Sequence, residues 1–235
     1  MEIITRVDDE IANHRICIGD LPGEHVAIAV DCTKVEQSEA IRRLVFEIVR
    51  RIPDSCSVSL VAFNTFQEIF LDRSYRGHAK FMTFLEEAWG QVKFCGLSCY
   101  ADILGFECDK MYLITSSVQI PPFDAQKLVD LAKCQVNTIC VGDGLSDLLA
   151  DIAKCTGGKH GKINESVDAY KVMRAVDMVC DTKVVATCLK VNSAPCHYIM
   201  YEGVSVYCER RFFPSDRTIN VTWFDDEKKS MKHSF

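Results

Sequence analysis

Several kinds of chemistry can be tested on residue types and spacing alone. Zinc favours thiolates and imidazoles, and these concentrate in Cys95-Gly96-Leu97-Ser98-Cys99 and in the set Cys188, Cys196, His197 and Cys208. No Cys-x-x-Cys pair occurs in the chain. Cys196 and His197 are adjacent, so on a strand they face opposite sides. Core thiols account for the same residues, as Cys140 does inside Val136-Asn137-Thr138-Ile139-Cys140-Val141. No metal and no cofactor is expected from them. The 13 cysteines are odd in number and sit in a chain that is 48% hydrophobic. They read as reduced thiols of a cytosolic protein, not as a disulfide scaffold.

A cysteine hydrolase needs a histidine beside its nucleophile. Of the six histidines, His160 in Gly158-Lys159-His160-Gly161 is the one expected near a sheet edge close to Asp31. A cysteine-dependent hydrolase built on it is kept as one alternative. No serine or cysteine stands in a nucleophile-elbow pattern. Gly142-Asp143-Gly144 and Gly157-Gly158 lack the Lys-Ser/Thr pair of a phosphate-cradling loop. The expectation is a protein that is not an enzyme.

Charge argues against a further class. Lys and Arg number 27 against 33 Asp and Glu, a net charge of -6, so a broad face for nucleic acid is not expected. Basic residues gather at Arg42, Arg43, Arg50 and Arg51, and again at Arg210 and Arg211 beside Phe212 and Phe213. Both patches suit an acidic protein surface, with Phe212 as a candidate anchor. No apolar stretch approaches the length of a membrane span, and the first residues do not resemble a secretory signal. A cytoplasmic location follows as the expectation, with the nucleus also open.

The elements that must position these residues follow from periodicity. His25 to Val30 is a nearly continuous apolar run ending at Asp31, the mark of a strand covered on both faces. Glu39 to Ile52 has Ile41, Leu44, Val45 and Ile48 at helical spacing. Ser57–Phe63, Met111–Thr115 and Val136–Val141 are further strands, and Glu68–Leu71 is a short edge strand. Helices are expected over His78–Trp89, Tyr100–Phe106, Ala125–Lys133, Leu148–Lys154 and Ser166–Val179. This order gives an α/β three-layer sandwich with a mostly parallel central sheet over residues 24–180. After residue 181 only strand-like segments remain. Residues 181–224 are expected to form a small all-β appendage with the N-terminal strands of residues 1–23, and residues 225–235 a flexible, solvated tail.

In this order and spacing, residues 24–165 resemble a von Willebrand factor type A domain. Val30-Asp31-Cys32-Thr33-Lys34-Val35 stands in the place of that family's Asp-x-Ser-x-Ser metal motif. Leu113-Ile114-Thr115-Ser116-Ser117 is similar to the strand that ends in Thr-Asp-Gly, and the stretch from Leu149 to Gly158 to the last helix and its Thr-Gly-Gly turn. The resemblance implies a divalent cation at the C-terminal edge of the sheet, held by oxygen ligands and completed by an acidic residue of a partner. Carried over by position, Asp31 matches the first carboxylate, Thr33 the first hydroxyl and Ser98 the loop threonine. Val35 replaces the second hydroxyl and Ser116 the second carboxylate, so the site is degenerate and no bound metal is expected. A weaker similarity links Arg50 to Phe63 with the trunk region of COPII coat subunits, whose zinc finger, helical and gelsolin-like parts have no counterpart here.

The resemblance implies a non-catalytic, metal-independent protein-protein interaction module, a structural subunit or adaptor of an intracellular multiprotein complex. A cation-dependent ligand binder of the same fold is the other alternative. The candidate contact residues are Asp31, Thr33, Val35, Ser98, Ser116 and His160 on the sheet, with Arg210, Arg211 and Phe212 on the appendage.

Overall fold

Seven consecutive buried residues, His25–Asp31, require cover on both faces of whatever sheet contains them. The computed structural model describes residues 2–8, 11–19, 21–116, 125–142, 146–164, 168–211 and 219–234. In chain order the elements begin with β1 (Glu2–Asp8), β2 (Ile11–Cys17), β3 (His25–Asp31), α1 (Ser38–Val49), β4 (Ser57–Phe63) and β5 (Gln67–Tyr75). They continue with α2 (Phe81–Gln91), α3 (Tyr100–Leu104), β6 (Lys110–Thr115), α4 (Ala125–Leu131), β7 (Gln135–Val141) and α5 (Ser146–Cys155). The last are β8 (His160–Ile163), α6 (Ala169–Val179), β9 (Val184–Val191), β10 (Ala194–Tyr201), β11 (Val206–Arg211), β12 (Asn220–Phe224) and β13 (Ser230–Ser234). They fall into two compact units. One comprises Gly23–Arg50 and Cys56–Asp181, the other Met1–Pro22, Arg51–Ser55 and Thr182–Phe235.

The first unit is an α/β sandwich around a six-stranded sheet of order β5-β4-β3-β6-β7-β8. All neighbours are parallel except β5, which runs antiparallel along β4. Central β3 therefore has a ladder on each side. Side chains alternate across it. Ala27 and Ala29 join Val61, Leu113 and Cys140 in a core with Ile103, Leu104, Leu128, Leu149 and Ile152 from α3, α4 and α5. Ile28 and Val30, also fully buried, face the opposite side. Helix α1 buries Ala40, Ile41, Leu44, Val45 and Ile48 and packs with α6, which buries Val172, Ala175, Val176 and Val179. Asp168 caps α6 by accepting a hydrogen bond from the Tyr170 N–H at 2.8 Å. Small residues on one face of β3 and larger ones on the other set how closely each helical layer approaches.

Strand β8 was not expected. His160-Gly161-Lys162-Ile163 is short and contains a glycine, so it has no strand signal, yet it alternates Gly161 and Ile163 inward with Lys162 outward. Gly161 is needed there because a Cβ would lie 3.1 Å from the Ala175 carbonyl of α6. The turn before β8 also depends on glycine. Gly157 has φ +76°, and the Gly158 N–H reaches back to the Ala153 carbonyl at 2.7 Å, closing α5.

The second unit contains a three-stranded sheet β1-β2-β11 and a four-stranded sheet β10-β9-β12-β13, as the pairing of N- and C-terminal segments anticipated. Ile16 and Val206 of the first sheet share one apolar core with Ala186, Leu189, Val191, Met200 and Val221 of the second. Asn192 and Ser193, both at positive φ, turn β9 into β10 as a two-residue hairpin. Pro195 is thus inside β10, tolerated because β10 is an edge strand. The buried turn residue Asp54 accepts from Arg15 Nη2 at 2.9 Å and from the Ser205 N–H at 3.3 Å, which ties Arg51–Ser55 to both sheet-forming segments.

Two expectations are corrected here. Cys196 and Cys208 form a disulfide between β10 and β11, whereas every cysteine was expected to be reduced. The spacing of 12 residues carries no sign that a hairpin and the next strand bring them together. The solvated tail is instead largely a strand. Residues 225–229 form a turn in which Asp225 accepts from the Glu227 and Lys229 N–H groups, and β13 then pairs with β12 from Asn220↔Ser234 to Phe224↔Ser230. Lys and Ser dominate β13, so its alternation is too polar to register. No helix among the described residues is long and apolar enough to cross a membrane.

A methyl group at Gly158 would lie 2.0 Å from the Val136 carbonyl oxygen, which is backbone and cannot swing aside. Gly158→Ala is expected to lower stability by about 3 kcal/mol. Chemical denaturation should show this, while Gly157→Asn, which tolerates positive φ, costs far less.

Candidate functional site

The C-terminal edge of the central sheet is organised by one carboxylate. Asp31 ends β3 and is 0% exposed. Its Oδ1 accepts from the Thr33 backbone N–H at 3.0 Å and from the Thr33 hydroxyl at 2.7 Å, a local turn that the two-residue spacing makes possible. Its Oδ2 accepts from the Ser98 hydroxyl at 3.0 Å and from the Thr115 hydroxyl, at the end of β6, at 2.6 Å. Four donors thus converge on a buried charge, which satisfies what burial requires. Three chain segments are tied together through it.

Around this centre the loops brace one another. The Cys95 N–H donates to the Cys32 carbonyl at 2.7 Å, and the Leu97 N–H to the Thr65 hydroxyl at 3.4 Å. Gly96, at φ +83°, lets this loop come close to Asn64 and Thr65. The Asn64 carboxamide accepts from the Phe66 N–H at 2.9 Å, holding the turn that follows β4. On the first loop the Lys34 ammonium donates to the Ser116 carbonyl at 3.1 Å. Three large apolar side chains of these loops are left in water: Val35 at 66%, Phe66 at 79% and Leu97 at 57% exposure.

No family model matches the sequence, and neither does any curated protein. Solved structures do match. A von Willebrand factor type A protein from Catenulispora acidiphila superposes with a TM-score of 0.54 at 13% identity, over 96% of this chain and 68% of that one. The fold is that of a von Willebrand factor type A domain. The SpRpn10 VWA domain gives a TM-score of 0.50 at 16% identity, over 64% of this chain and 93% of its own. Proximal thread matrix protein 1 from the mussel byssus, solved with a zinc-occupied MIDAS motif, gives 0.51 at 16% identity; this chain spans 47% of that one. Likeness at such identities concerns the fold alone. The COPII similarity rests on sequence rhythm and has no support from these structures.

Both oxygens of Asp31 are taken by N–H and O–H donors. Ser116 brings no charge where a second carboxylate would stand, and the Val35 side chain brings no oxygen. The Lys34 ammonium is a positive charge already at the rim. Among the described residues no group of three or more His, Cys, Asp or Glu side chains is placed to hold a metal ion.

The structure joins Asp31, Thr33 and Ser98 directly, with Val35 and Ser116 on the same rim. His160 is not there. It begins β8, three strands away from β3, roughly 14 Å at the usual strand spacing. The unrecognised strand β8 is the reason, since it carries the loop outward along the sheet. His160 Nδ1 lies 2.8 Å from the Thr138 hydroxyl, which itself donates to the Leu149 carbonyl at 3.0 Å. The ring therefore donates from Nδ1 and accepts the Ser146 hydroxyl at Nε2, 2.8 Å away. Arg210 and Arg211 end β11 of the other unit; their side chains, and Phe212 altogether, lie outside the described residues. Sequence reasoning missed Lys34, Phe66, Leu97 and the role of Thr115. A threonine closing the apolar run Met111–Ile114 was the one available signal.

Two outcomes follow. Asp31→Asn turns one acceptor into a donor facing hydroxyl groups, and is expected to lower stability by about 3 kcal/mol in denaturant titrations, whereas Val35→Ser changes it little. Burial and the charge of Lys162 hold the His160 pKa below its ordinary value, and burial and Arg73 do the same at His25. The unfolded chain then binds more protons, so their contribution is present above the ordinary histidine pKa of 6.5 and is lost as pH falls through the folded values. The melting temperature should drop between about pH 7.5 and 5.5, and His160→Gln should flatten that drop.

Proposed function

We propose that this chain is a non-catalytic, metal-independent protein-interaction module, a structural subunit or adaptor of a multiprotein complex, which contacts its partner through the C-terminal rim of the central sheet. The observation that carries the reading is the exposure of Val35, Phe66 and Leu97 on three loops that brace one another. Side chains of this size in water on one rim mark interaction surfaces, and here the polar groups beneath them are turned inward onto Asp31. These three loops are therefore braced without a ligand. A rigid apolar surface loses little entropy on association.

The two alternatives have less support. A cation-dependent binder would need ligands that Val35 and Ser116 do not offer. For a cysteine hydrolase His160 would have to meet a thiol, and its ring nitrogens are engaged by Thr138 and Ser146 instead. A cytoplasmic setting is favoured by the exposed thiols of Cys95, Cys155 and Cys188; the Cys196–Cys208 disulfide runs against it. Arg210, Arg211 and Phe212 remain a second contact region of the proposal.

Tagged protein purified from the source cell in the presence of EDTA should retain a stoichiometric partner. Phe66→Ser/Leu97→Ser should lose it, with affinity falling roughly 30-fold or more as expected for anchor residues, while the melting temperature stays within a degree or two. A partner that is retained only with Mg²⁺, or one indifferent to the double variant, would overturn the reading.

A further inference from the structure

Among the described residues Lys34, the one cation of the central motif, has one neutral partner. Lys34 Nζ donates to the Ser116 carbonyl oxygen at 3.1 Å, and among the described residues no carboxylate pairs with it. An ammonium has three donors, so this bond uses one of them. Lys34 is half-buried beside exposed Val35, with Phe66 and Leu97 on the neighbouring loops. Apolar neighbours lower the local dielectric and strengthen any ion pair formed there. The formal charges of Asp31 and Lys34 cancel, which is the balance a site of two carboxylates reaches with a divalent ion.

We propose that Lys34 is the built-in cation of this rim and that it receives a carboxylate of the partner, on a segment whose apolar side chains cover Val35, Phe66 and Leu97. The proposal rests on the rim being the contact surface. A carboxylate fits better than a phosphate, which is held by arginine forks or by clustered N–H and O–H donors. Here the Thr33 N–H and the hydroxyls of Thr33, Ser98 and Thr115 are aimed at Asp31, whereas the Lys34 ammonium is not. The other charges on these loops, Glu36 and Lys93, are exposed and opposite in sign. The net charge of -6 opposes an acidic partner at long range, but salt screens it beyond about 8 Å. Contact at Lys34 must therefore supply the selectivity.

The probe is a displayed library of random dodecapeptides, panned in EDTA against the full chain. Peptides enriched on the wild-type protein should carry Asp or Glu beside aromatic or aliphatic residues. A synthetic member should bind at least tenfold more weakly to Lys34→Met, which keeps the length of the side chain and removes its charge. Replacing its acidic residue by the amide should cause a similar loss, and Lys34→Arg should keep most of the affinity. Peptides without acidic enrichment, or binding unchanged in Lys34→Met, would overturn the proposal. If binding survives Lys34→Met but is lost in Phe66→Ser/Leu97→Ser, the rim reading stands and the role of Lys34 falls. If no peptide is enriched, or binding ignores both variants, both fall.

Discussion

A buried carboxylate is tolerated only when its lone pairs are filled, and the described part of this rim is arranged around that requirement at Asp31. Four hydrogen bonds draw the end of β3, the loop before α3 and the end of β6 to one point. The central strand can then end in a charge without destabilising the core on either side. The same bonds give the loops above it fixed positions. Val35, Phe66 and Leu97 are exposed because the polar groups of their loops are committed beneath them.

This arrangement separates fold from cofactor. A type A fold with its acidic residues in place gathers negative charge at the rim and needs a cation to balance it. On the proposed reading Ser116 brings no second negative charge, and Lys34 places a positive one on the neighbouring loop. Among the described residues the polar groups around Asp31 satisfy one another.

Much of this was legible in sequence where burial was two-sided. The runs His25–Val30 and Ser57–Phe63 have no polar alternation to confuse, and β4 has the bounds that its residues suggest. The helices with a clear apolar stripe, α1 and α6, are present, but α1 stops at Val49 and not Ile52 and α6 starts at Ala169 and not Ser166, since helix ends are decided by local geometry and not by periodicity. Strands that lie at an edge were less visible. In β8 a glycine and a lysine stand where an apolar run would announce a strand, and β13, Ser230–Ser234, has a single apolar residue, Met231. The sites of Asp31, Thr33 and Ser98 could be matched by position, whereas the misplacement of His160 follows directly from the unseen β8. Lys34, Phe66 and Leu97 carry no motif at all; what distinguishes them is exposure, which sequence does not encode locally. The Cys196–Cys208 pairing depends on which strands become neighbours, a property of topology.

The second unit is assembled from distant parts of the chain, and this shapes how it can form during synthesis. Strand β2 is the middle of its sheet, yet β11 lies far downstream; Arg15 and its hydrogen-bond partner Ser205 are 190 residues apart. At ribosomal elongation rates the β1–β2 hairpin waits about 10 to 40 s with one edge open. The α/β unit, whose last helix ends at Val179, emerges completely within that interval. Nascent chains of this protein therefore pass through a stage in which a finished domain carries an unsatisfied hairpin, and that stage is where holdase chaperones have the most to protect.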